Sequence, residues 1–219
     1  MINDKRLKNI ILILLSLFIL CTYIGCVGTI IEEIYLGAPV VKQEQDKWCL
    51  PAATKSVMNY HGMEITQKEI ADYVIDEEGV SHTAWLINNA SKLGINANLD
   101  ANVSFNKIKN ELIKANPMIL ISDYSLTNKT DHAYLIDGFD DTKEKLRLMC
   151  PNRGYVYWAY DYVTQLNNNF WIDQFEKESD TFCIIFVSPK NISSMNNFTS
   201  PEKAIQIVSE KTDLFDIFR

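Results

Sequence analysis

Clusters of Lys or Arg are missing from this 219-residue sequence beyond its first ten residues, and acidic side chains outnumber basic ones by 28 to 21. A protein held to nucleic acid by counterion release needs a basic footprint, so no nucleic-acid partner is expected. Glycine is scarce, with 8 residues, and no Gly-rich phosphate loop occurs, which excludes a nucleotide-binding transporter module in this chain. Internal repeats and low-complexity tracts are also missing. What is present is 47% apolar and 22% charged, a balance that excludes disorder and suffices for one mid-sized globular domain with its own core.

One long apolar run stands at the start. Lys5, Arg6 and Lys8 precede Ile10 to Leu20, a stretch interrupted only by Ser16, which is the layout of a bacterial export signal. Tyr23 to Cys26 resembles a lipoprotein cleavage box in which Cys26 receives lipid, with Tyr23 where Leu is usual. Ile10 to Ile31 is also free of charge and long enough to span a bilayer uncleaved. Lipid anchor, uncleaved anchor and free secretion stay open, and all three put the folded part outside the cytoplasm because the basic residues lie on the N-terminal side. Residues 1–30 are therefore expected to be a signal or anchor, 38–190 a catalytic domain, and 191–219 a polar segment with one helix from Pro201 to about Ile217.

Periodicity orders the rest. Cys49 to Tyr60 has helical spacing and stops at Gly62, Thr66 to Glu69 is a capping-box pattern, and Ser81 to Leu93 predicts a third helix ending at Gly94. Phe105 to Ala115 repeats the helical spacing. Strands follow: Met118 to Ser122, then His132 to Phe139 turning back into Leu146 to Cys150, then Thr181 to Val187. Helices first and antiparallel strands later imply an α+β domain. The aromatic stretch from Tyr155 to Tyr160 reads as a sheet face rather than a binding groove. Of the cysteines outside the signal, Cys150 and Cys183 sit in strands, either as buried small hydrophobes or as a pair.

Cys49 is placed differently. It opens a helix, where unpaired N–H groups favour a thiolate. His132 begins an apolar strand able to pack against that helix and serve as proton carrier. His61 and His82 read as helix-end residues. Gln43, six residues before Cys49, can aim its amide at a developing oxyanion, with Gln45 a rival donor.

Together these residues resemble the papain-like cysteine peptidases, and among them the bacterial branch similar to the peptidases that remove double-glycine leaders from bacteriocins. The elements are Lys42-Gln43 with Cys49 to Ala53, Asn59 to Gly62, Ala90 to Gly94, Asn116 to Leu120, and His132 to Phe139. The resemblance implies a papain-like fold, with Cys49 as nucleophile in an N-terminal helical half, His132 as general acid/base on a C-terminal antiparallel sheet, and Gln43 in the oxyanion hole. Two positions depart from the pattern. Leu50 replaces the usual Gly after the nucleophile, and Cys150 precedes Pro151 where an Asp or Asn normally orients the His. Asn152 is the substitute orienting residue, with a two-residue site or an inactive descendant as alternatives. The expected activity is hydrolysis of peptide or protein substrates at a membrane surface with no metal or organic cofactor. A transglutaminase-like acyl transfer and a peptide-binding module on the same scaffold are the competing readings.

Overall fold

The computed structural model describes residues 31–100, 103–123, 131–163, 165 and 183–190. Contacts divide the chain into Met1–Ile31 and Glu32–Arg219, and the account below concerns the second unit. The export segment and the helix expected after Pro201 lie outside the described residues. Among the described residues, no helix is long and apolar enough to cross a membrane.

The elements run β1 (Glu33–Tyr35), α1 (Cys49–Tyr60), α2 (Gln67–Val74), α3 (Thr83–Asn89) with a 3-10 turn (Ala90–Leu93), β2 (Ile95–Asp100), α4 (Phe105–Ile113), β3 (Met118–Asp123), β4 (Asp131–Asp140), β5 (Lys145–Cys150), β6 (Gly154–Ala159) and β7 (Cys183–Pro189). The strands form one antiparallel sheet in the order β2-β7-β3-β4-β5-β6, with β1 paired to β4. β4 holds β3 along residues 131–136 and β1 along 138–140, so one long strand carries both in succession.

Alternation decides which residues meet the helices. Ala133 and Leu135 of β4 join Ile119, Ile121, Met149, Cys183, Ile185 and Val187 in the same core cluster as Leu50, Ala53 and Val57 of α1. Successive strand side chains point to opposite faces, so Tyr134 and Ile136 belong to the other face. α1 is buried almost all round, from Leu50 to Met58, as a helix packed between the sheet and α2 must be. The Thr66 capping box forms as expected, with Thr66 Oγ1 accepting from Glu69 N and Thr66 N donating to Glu69 Oε2.

Several sequence expectations are corrected. The third helix starts at Thr83 rather than Ser81, because Ser81 pairs with Ile75 in an isolated bridge and donates its hydroxyl to Lys47 O at 2.7 Å. Its last turn tightens to 3-10 before Gly94 at φ +70. β1 and β2 had no expected counterpart. The Ile95, Ala97 and Leu99 alternation in β2 was the available signal, masked by three polar residues between and after them. Cys150 and Cys183 are both buried. Their strands are separated by β3 and β4, and strands spaced about 4.8 Å apart put such residues beyond the Cα separation of a disulfide.

Gly138 explains part of the His132 to Phe139 pattern. A Cβ there would stand 2.3 Å from Tyr35 Cδ1 and 2.5 Å from Ile34 O, so β1 can pair with β4 only over a glycine. The β4–β5 register shifts at the same place, between Ile136 and Gly138.

Candidate active site

A cavity of about 650 Å³ opens where α1 begins and β4 begins, and its wall includes Gln43, Cys49, His132 and Asn152. Each is placed by a separate local device. Cys49 is the first residue of α1, after Trp48, which caps without a side-chain bond. Pro51 suits this first turn because the N–H it lacks would have no helical partner. Lys47 turns the chain into the helix at φ 64, held by the Ser81 hydroxyl on its carbonyl and by Lys47 Nζ on Glu78 O at 3.4 Å.

Gln43 is held from two sides. The buried Gln67 side chain donates to Lys42 O at 2.6 Å and accepts from Glu44 N at 3.0 Å, while Gln43 N donates to Pro151 O at 3.2 Å. The Gln43 amide donates to Gln45 O at 3.1 Å and its Oε1 is buried without a partner. Gln45 is exposed and does not line the cavity, so of the two rival glutamines only Gln43 stands beside Cys49.

Backbone N–H groups of Ala133, Leu50 and Cys49 itself face the Cys49 sulfur. Ala133 follows His132 directly, so α1 and β4 meet at this sulfur. Burial pushes the Cys49 thiol up, and the three backbone donors oppose that rise without reversing it. Burial also pushes the His132 imidazole down to about 4, with the positive charge of Arg153 adding to the shift. Desolvation disfavours whichever form is charged. Burial therefore favours the uncharged form of each group, the Cys49 thiol and the His132 imidazole, against the pull of the helix start toward a thiolate.

His132 Nε2 lies 3.5 Å from the sulfur of Cys150, and its ring packs edge-on against Tyr134 at 4.6 Å between centroids. Asn152 is exposed at the cavity rim. The residue preceding Pro151 is thus a buried thiol at hydrogen-bonding distance from the imidazole.

Sequence reasoning missed one wall of the cavity. Val80, Ser81, His82 and Thr83 line it, with His82 Nε2 2.6 Å from Asp76 Oδ2 and its ring tilted by 33° against Trp85 at 4.7 Å between centroids. His82 does stand at a helix start as expected, as the N-cap of α3, and it also faces the site. His61 caps the end of α1, against Tyr60. Among the described residues, no group of three or more His, Cys, Asp or Glu side chains is placed to hold a metal ion.

Residues 35–178 match the Peptidase_C39-like family. The chain belongs to that family. It is accordingly a cysteine-type peptidase of α+β fold. Among solved structures, a putative C39-like peptidase from Bacillus anthracis aligns with a TM-score of 0.54 at 13% identity, covering 72% of this chain and 98% of its own. The peptidase domain of Streptococcus ComA, a bi-functional ABC transporter of a quorum sensing pathway, aligns with a TM-score of 0.50 at 15% identity, covering 69% and 98%. Identities this low carry the fold alone. No curated protein matches the sequence.

Proposed function

We propose that this peptidase cleaves peptide bonds through Cys49 and His132, with Gln43 in the oxyanion hole, and that it works outside the cytoplasm on a lipid or helical N-terminal anchor. The observation that supports the mechanism most is the meeting of Gln43, Cys49 and His132 on one cavity wall. The basic start and the uncharged run from Ile10 to Ile31 support the location.

From a neutral pair, His132 removes the thiol proton as the Cys49 sulfur attacks the substrate carbonyl. Negative charge moves to the carbonyl oxygen, where the N–H of Cys49 and an amide N–H of Gln43 stabilise it. The imidazolium then gives its proton to the departing amine, leaving a thioester on Cys49. Water, deprotonated by the same imidazole, hydrolyses that thioester and regenerates the thiol. The substrate is a peptide or protein strand that fits between the Gln43 side and the Val80 to Thr83 side of the cavity.

Intact-mass analysis of the full-length chain with a peptide library tests this reading. Cys49→Ala and His132→Ala are each expected to remove cleavage, and wild type is expected to accumulate an acyl adduct on Cys49 at early times. Cleavage that persists in Cys49→Ala would overturn the assignment. Ammonia release with amine incorporation instead of hydrolysis would mark acyl transfer.

A further inference from the structure

Cys150 ends β5 in a rigid turn. Its side chain is 1% exposed, its carbonyl accepts from Arg153 N at 3.2 Å, it pairs with Gly154 across the turn, and Gly154 takes φ +82. Pro151 supplies no N–H to extend the strand and gives its carbonyl to Gln43 N. The Cys150 sulfur is thus fixed in the piece of structure that also fixes Gln43. In the register that pairs Leu135 with Met149, the next step sets Tyr134 opposite Cys150. His132 follows two residues further along the same face, which brings Nε2 to 3.5 Å from the sulfur.

We propose that Cys150 is the positioning residue of His132, its thiol holding Nε2 so that proton exchange with Cys49 falls to Nδ1. This inference rests on the Cys49–His132 reading above. A thiol differs from a carboxylate at such a position in two ways. It can accept from Nε2–H or donate S–H to Nε2, and only the first arrangement leaves Nδ1 basic, so the productive tautomer is favoured less strongly than by an acceptor-only group. Unlike a carboxylate, a thiol also places no fixed negative charge beside the imidazolium formed during attack. The site is built for a weaker general base that still points the right way. Asn152 does not share this geometry, being exposed two residues further on.

The test uses the full-length chain and two readouts that need no known substrate: the rate of iodoacetamide alkylation of Cys49, resolved by peptide mapping, and the NMR titration of the His132 ring. Cys150→Ala is expected to slow Cys49 alkylation about tenfold, and Cys150→Ser to stay within about threefold of wild type because a hydroxyl keeps both hydrogen-bonding roles. Cys150→Asp is expected to raise the His132 titration by about one unit or more and to speed alkylation near neutral pH. Unchanged rate and titration in Cys150→Ala, or a Cys150→Asp titration that does not rise, would overturn the proposal. If His132→Ala slows alkylation but Cys150→Ala does not, only the role of Cys150 fails. If His132→Ala leaves Cys49 alkylation untouched, the peptidase mechanism itself fails.

Discussion

At the scale of single residues, the site is governed by desolvation acting on two groups of opposite type. In the proposed mechanism attack requires neutral His132, so activity is expected to fall as the pH drops through about 4, and the acid limb of a kcat/KM profile checks this. The same shift ties folding to pH. Below its unfolded value and above about 4, the unfolded chain binds a proton at His132 that the folded chain does not, so stability rises with pH across that window and is complete above it. Melting temperatures measured between about pH 5 and pH 7 should rise with pH, and should rise less in His132→Gln. Gln67 belongs to this scale too. Replacing it by Leu removes the two bonds by which Gln67 holds the segments on either side of Gln43, and turnover is expected to drop about tenfold or more while the helices stay folded, which circular dichroism checks alongside kcat/KM.

At the scale of elements, α1 and β4 present Cys49 and His132 to the cavity, and other elements decide where they meet. β1 reaches β4 only because Gly138 has no side chain. Gly138→Ala would drive a methyl group into Tyr35 and the Ile34 carbonyl, and the expected loss is about 2 kcal/mol or more of stability, readable as a lowered urea midpoint. The capping box of α2 is a milder case. Thr66→Ala removes the acceptor of Glu69 N and should cost about 1 kcal/mol with kcat unchanged, because α2 supports α1 from outside the cavity.

At the scale of the whole molecule, one buried ion pair joins four strands and the segment leading to the site. Asp137 of β4 is fully buried and accepts from Arg147 Nε at 2.9 Å, from Arg147 Nη2 at 2.8 Å and from Ala38 N at 3.1 Å. The guanidinium lies between the rings of Tyr35 and Tyr155, and the Tyr155 hydroxyl donates to Ala38 O. The pair thus locks the chain between β1 and Gln43 onto β4, β5 and β6. Arg147→Met would leave a buried carboxylate unpaired and is expected to cost about 3–5 kcal/mol, whereas Asp137→Leu combined with Arg147→Met should recover a large part of it. Thermal unfolding of the single and double variants measures both.

Local periodicity and end signals made α1, the α2 capping box, α4, and the His132 and Leu146 strands legible in the sequence, because spacing, caps and glycines act between neighbours in the chain. Gln43, Cys49 and His132 were singled out by residue type and spacing, and the fold brings all three to one cavity. Tertiary structure alone decided which glutamine lines the cavity with Cys49, that burial favours the uncharged thiol and imidazole, that Cys150 lies at hydrogen-bonding distance from His132, and that His82 lines the same cavity. Those outcomes depend on burial and on strand register between distant segments. Neither can be read from a residue and its nearest neighbours.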